Sequence, residues 1–178
     1  DMFGRDMLSR LIKGSTNSLY VAFFCVAISG TLGTLIGTSS AYIGGTFDNV
    51  MMRIMDVFFA FPAILLALLV VVILGRGLDK TIIAIAVVYT PIFARVARGP
   101  VLSVKEMEFI MAARCVGMRH RRIVFFHVLP NTLAPLIVQV SLALSWSLLT
   151  EAGLSFLGLG IQPPEPSWGV MLSESQGI

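Results

Sequence analysis

Residues 133–150 read LAPLIVQVSLALSWSLLT, eighteen consecutive positions without a charge. A helix needs about 20 predominantly apolar residues, range about 17–25, to cross the hydrocarbon of a bilayer, so this stretch reads as a membrane span. Working outward, residues 55–74 (MDVFFAFPAILLALLVVVIL) qualify on the same ground, their one charge, Asp56, lying at the start, and so does the apolar, small-residue-rich stretch 19–40. The run 82–94 is shorter and extends to 80–104 only if Arg95 and Arg98 sit at the interface with their aliphatic stems along the helix. The expected fold is all-α and polytopic, one transmembrane domain with spans at 19–40, 55–74, 80–104 and 132–150.

Composition agrees. Of 178 residues, 56% are hydrophobic and 13% charged, against about 45–50% and about 25% in soluble domains. So few charges could not cover a globule of this size. The chain opens on Asp1, which suggests a fragment, and residues 1–18 are mixed polar and basic, unlike a signal peptide. Cys25 lies in an apolar run and Cys115 in a basic one, which excludes a disulfide framework.

Charge placement supplies the topology. Residues 95–127 hold seven Lys/Arg against Glu106 and Glu108, a local balance of +5. A basic block could bind nucleic acid, but on a hydrophobic chain the positive-inside rule accounts for it better, and no nucleic-acid partner is expected. Residues 41–54 and 95–132 share one side with eight Lys/Arg, against five on the other, where 151–178 has none. This places 104–127 in the cytoplasm as a loop and 151–178 outside. Gly33 and Gly37 form the small-xxx-small spacing that lets helices approach closely in lipid, and Pro62 interrupts the second span.

Inside the loop, Ser103-Val-Lys-Glu106 fits a capping box. Phe109, Ala112, Ala113 and Val116 follow at i, i+3, i+4 and i+7, one apolar face of a helix, which Gly117 can end in the left-handed conformation. A helix of about eleven residues is marginal alone, so its stripe needs a partner or the chain's own bundle.

Met111-Ala112-Ala113-x-x-x-Gly117, followed by Pro130 in His127-Val-Leu-Pro-Asn131, resembles the cytoplasmic EAA signature of ABC-importer permeases. The stretches Gly4-Arg-Asp-Met-Leu-Ser-Arg10, Tyr42-Ile-Gly-Gly45, Met52-Arg-Ile-Met-Asp56 with Phe61-Pro62, and Thr150-Glu-Ala-Gly-Leu-Ser-Phe-Leu-Gly-Leu-Gly160 with Gln162-Pro-Pro-Glu-Pro-Ser-Trp-Gly169 are similar to the dipeptide/oligopeptide/nickel permease family, in its second permease subunit. The resemblance implies about six spans, of which this chain would hold spans two to five. It implies a bacterial cytoplasmic-membrane subunit that pairs with a sister permease, two ATPase subunits and an extracytoplasmic solute-binding protein. ATP and Mg would belong to the ATPases, and Phe109, Ala112, Ala113, Val116 and Gly117 would contact them. Met111 stands where the family has Glu, which removes any salt bridge of that Glu but not the helix. No G-x-x-x-x-G-K-[ST] phosphate loop occurs, and no nucleophile–base set, so no enzyme is expected.

The remaining candidates are weaker. Glu151, at the end of the last run, reads either as a carboxylate in a substrate path or, preferred here, as an interfacial group exposed to water. Asp56 reads as pairing with Arg53 or capping its helix. His120 and His127 lack a third ligand, so no metal is expected. Trp146 suits a packed span and Trp168 an outer loop. Other readings are a nickel or glutathione importer of the same family, a secondary transporter or channel, which would carry polar groups deep in its spans, and a lipid-binding assembly protein.

Overall fold

A computed structural model describes residues 5–176; Gly4, in the first of the similarity blocks, lies outside them. Asp6 opens the structure as a side-chain cap, its carboxylate accepting from the backbone N–H groups of Leu8 (3.2 Å) and Ser9 (3.1 Å), the ordinary device for orphan donors at a helix start. Helix α1 then runs Met7–Ile43, α2 Gly45–Phe59, α3 Ala63–Leu74 and α4 Leu78–Val104. The short α5 (Glu108–Cys115) and α6 (His120–Ile123) follow, then a π-helical turn Val124–Val128, α7 (Leu129–Asn131), α8 (Leu133–Phe156) and α9 (Trp168–Ser175). Among the described residues α1, α4 and α8 are long and apolar enough to span a membrane, and α2 with α3 form a broken candidate.

That break falls at Pro62, where the sequence places an interruption of the 55–74 run, and it divides the run between two helices bent by 91°. Pro62 has no N–H and disfavours helical geometry at Phe61, so α2 stops with the Ala60 N–H on Asp56 O, and Pro62 opens α3 by accepting from Leu66 N–H at 3.0 Å. The expected 19–40 and 132–150 spans fall inside longer helices, because α1 begins at Met7 and α8 continues to Phe156. Residues 151–156 are therefore helix, not loop, and Trp168 starts α9, capped by the Ser167 side chain. Trp146, expected inside a packed span, is exposed.

The chain divides into two compact units, and α1, α4 and α8 contribute to both. The first comprises residues 5–28, 61–88 and 143–176 of those described. Its interior includes Val21, Cys25, Val71, Ile85 and Leu154. Here α9 and the stretch before it close on the start of α1: Asn17 Nδ2 donates to Pro166 O at 2.9 Å, Trp168 Nε1 to Ser15 Oγ at 3.0 Å, and Arg10 Nη1 to Glu174 Oε2 at 2.7 Å.

The second unit comprises residues 29–60 and 89–142. Ala41, Val101, Val104, Ile110, Ala113, Ile123 and Val128 form one buried cluster, with Tyr42, Leu102 and Met118 against it. A Cβ at Gly33 would lie 2.5 Å from Phe93 Cβ and Thr90 O, and one at Gly37 only 2.1 Å from Ala94 O. Both glycines thus set how closely α1 and α4 pack.

Candidate functional site

α5 is held on the second unit by its own core. Ile110 and Ala113 point inward, fully and almost fully buried, while Phe109, Ala112 and Val116 are exposed, Phe109 by 41% and Val116 by 78%. The sequence pattern placed Ala113 on the outer stripe; it packs instead into the cluster with Ile110. Two apolar stripes lie side by side here, and the outer one continues into exposed Met107 and Met111.

The helix ends in a Schellman motif. Gly117 has φ +74°, a conformation that costs other L-residues roughly 1–2 kcal/mol. The Met118 N–H donates to Ala113 O at 3.1 Å and the Gly117 N–H to Arg114 O at 3.0 Å, the paired bonds that satisfy terminal carbonyls. Met118 then packs on the cluster that holds Ala113. The helix start differs from the expected capping box. Val101 and Val104 are drawn into the core, so α4 runs through Ser103, and Met107 precedes α5 with no side-chain cap. The chain turns between them through the Met107 N–H on Val104 O at 3.1 Å. Lys105 Nζ reaches Ala41 O at 2.9 Å, a cation on the C-terminal carbonyls of α1 that the helix dipole favours.

The basic residues divide by partner. Asp48, buried in α2, takes Arg98 in a two-pronged bond, and Asp56 takes Arg95, not Arg53. Arg95 also stacks 4.0 Å over the Phe59 ring. Neither carboxylate partner was legible beforehand. Arg114 instead lies 5.5 Å from the centre of the Tyr42 ring, and Tyr42 Oη shares a 3.0 Å hydrogen bond with His120 Nδ1. No group of three His, Cys, Asp or Glu suited to a metal occurs among the described residues.

Glu151 corrects the expectation of a water-exposed carboxylate: it is 0% exposed in α8. Oε1 accepts from Ser155 Oγ at 2.7 Å, and Ser155 Oγ accepts from the Ile161 N–H at 3.1 Å. Oε2 has no hydrogen-bond partner among the described residues. The i, i+4 spacing of Glu151 and Ser155 was the sequence signal for this pair.

Long apolar helices built on two small cores, with one short helix turning an apolar stripe outward, define a polytopic helical membrane subunit. Residues 31–178 match the family model described as the binding-protein-dependent transport system inner membrane component, and the chain belongs to that family. It is accordingly an inner-membrane component of such a transport system. It is 49% identical over 176 residues to the dipeptide transport system permease protein DppC of Alkalihalophilus pseudofirmus, covering 99% of this chain and 58% of that protein. Glutathione transport system permease proteins GsiD of Pectobacterium atrosepticum and Shigella sonnei are 43% and 44% identical over the same shares. The chain thus spans somewhat more than half the length of these relatives. A chain of the MetNI methionine ABC transporter in an inward-facing conformation superposes with TM-score 0.79 at 20% identity, over 97% of this chain and 82% of that one. A second crystal form gives 0.70 at 22%, over 95% and 87%. The fold is that of an ABC-importer permease.

Proposed function

We propose that this chain is the translocating part of an importer for short peptides, driven by ATP hydrolysed in partner subunits that also hold the Mg. The observation that carries the proposal is the outward stripe of α5, Phe109, Ala112 and Val116, mounted on a buried core and closed by Gly117. A helix anchored on one face and apolar on the other transmits a push without bending. That is what a passive subunit needs if an ATPase on the cytoplasmic side is to move its spans between inward- and outward-open states. In this reading Ala113 anchors the helix, and Gly117 shapes its end.

A sister permease completes the path, and an extracytoplasmic solute-binding protein delivers the cargo. The relatives' names support the cargo class: one carries dipeptide and the others glutathione, itself a tripeptide, so short peptides are the shared chemistry. Glu151 is this chain's contribution near the path, supported by an Oε2 that nothing among the described residues engages.

Co-purification tests the docking. In the full-length permease co-expressed with its ATPases, Phe109→Asp or Val116→Asp should leave membrane abundance unchanged and weaken recovery of the ATPases at least about tenfold, since losing a central apolar contact costs about 2 kcal/mol or more. Undiminished recovery with both variants would refute the assignment.

A further inference from the structure

The second unit carries a recessed surface that none of the outward stripe residues of α5 lines, although Arg114 of that helix borders it. A trough of about 330 Å³ lies between the last turns of α1 and residues 120–129, lined by Leu35, Thr38, Arg121, Val124, Phe125 and Leu129. A second recess, lined by Tyr42, Ile43, Arg114 and His120, adjoins it through Tyr42, Ile43 and His120, which border both. The pair is amphipathic, mostly apolar in its lining but bordered by Arg121 in the trough and Arg114 in the recess.

Three further observations point to a ligand. Thr38, 3% exposed and lining the trough, has an Oγ1 without a hydrogen-bond partner among the described residues. A helical threonine ordinarily settles that hydroxyl on a carbonyl one turn back. Arg114 and Arg121 have no carboxylate within ion-pair distance among the described residues, whereas Arg95 and Arg98 are neutralised by Asp56 and Asp48. Leu35, Ile43 and Phe125 remain exposed on the trough wall. Apolar surface, one buried hydroxyl and two uncompensated cations describe the complement of an acyl chain joined to a negative headgroup.

We propose that the trough and recess together bind one anionic phospholipid of the surrounding bilayer, its phosphate held by Arg114 and Arg121 and one acyl chain laid along Val124, Phe125 and Leu129. Basic pockets beside membrane helices recognise anionic headgroups through just this pairing of charge and apolar wall. Charge complementarity selects a lipid over an apolar helix as occupant, because a helix face would leave both guanidinium groups unmatched. The proposal rests on the chain's place in the inner membrane and does not depend on the cargo.

The test uses the full-length permease in its assembled transporter, released into mild detergent and titrated with phosphatidylglycerol or phosphatidylcholine of matched chains under native mass spectrometry. Wild type should retain phosphatidylglycerol in preference to phosphatidylcholine. R114A/R121A should weaken that retention at least about tenfold, R114K/R121K should largely restore it, and V124W should lower retention of both lipids. Equal retention of the two lipids, or no loss in R114A/R121A, would overturn the proposal. A photoreactive amino acid at Leu35, introduced into the otherwise wild-type protein in native membranes, gives a second readout free of folding effects. A lipid adduct supports the site, and a cross-link to a polypeptide overturns it.

Discussion

Arg98 of α4 grips Asp48 of α2 with both ends of its guanidinium, Nε at 2.9 and 3.1 Å from the two carboxylate oxygens and Nη2 at 2.7 Å from Oδ2. Asp48 is buried, while the Arg98 side chain keeps 34% of its exposure. Removing one partner of a fully buried pair costs about 3–5 kcal/mol, and partial solvent access lowers this to roughly 2–3 kcal/mol. Arg98→Ala in the full-length protein should therefore lower thermal stability and membrane abundance. The double variant R98A/D48A should recover part of the loss, because no charge is then left unmatched. A double-mutant cycle on melting temperature checks this.

Gly30 and Gly37 lie on the same helix but should respond oppositely. A Cβ at Gly30 meets the Phe93 ring at 3.6 Å, an ordinary contact, whereas one at Gly37 would be 2.1 Å from Ala94 O. Gly30→Ala gains helix propensity of up to about 1 kcal/mol and should be neutral or stabilising. Gly37→Ala must push α1 from α4 and should cost about 1–3 kcal/mol or more. Thermal melts of the two purified variants separate the outcomes.

Much of this was legible in the sequence, for reasons that differ by residue. The long apolar helices followed from runs with few or no charges, and Gly117 from its place after an amphipathic stretch. The stripe on α5 was half right. Ile110 and Ala113 form one apolar stripe and Phe109, Ala112 and Val116 another, and periodicity on so short a helix cannot say which of two adjacent stripes meets the core. The capping box at Ser103 failed because burial of Val101 and Val104 carries α4 past it, a tertiary effect that overrides a local signal. The Arg95–Asp56 and Arg98–Asp48 pairs are 39 and 50 residues apart, and nothing local announces such a match. The burial of Glu151 was hidden because α8 extends past the end of the charge-free run.

Glu151 makes the next prediction. Glu151→Gln keeps an acceptor for Ser155 and removes a carboxylate whose second oxygen is unmatched, so membrane abundance and melting temperature should hold. Glu151→Ala leaves the Ser155 hydroxyl, already engaged by Ile161, without its acceptor and opens a void, which should cost about 1–3 kcal/mol. Peptide uptake by Glu151→Gln should fall only several-fold; uptake equal to wild type would remove Glu151 from the path.

The closure of α9 onto α1 should depend on pH. The hydrogen bond from Arg10, followed by the charges of Arg10 and Arg5, holds the Glu174 carboxyl below its ordinary value of 4.5. A carboxyl depressed in the folded state contributes stability above its unfolded pKa and loses it as pH falls through the folded one. The pair is partly exposed, so the effect should stay under about 1 kcal/mol. Hydrogen-exchange protection of residues 168–175, corrected for intrinsic rate, should decline below about pH 4.5, and Glu174→Gln should flatten that dependence.

The central claim, that α5 is the cytoplasmic surface an ATPase covers, is tested most directly with the native cysteines. Cys115, at the end of α5, is exposed, and Cys25 is buried, so a membrane-impermeant maleimide should label the full-length permease at Cys115 in opened membranes and spare Cys25. Sealed cells should show little labelling, and adding the ATPase subunits to opened membranes should slow the reaction at Cys115. Labelling from outside sealed cells, or a rate unchanged by the ATPases, would contradict the account.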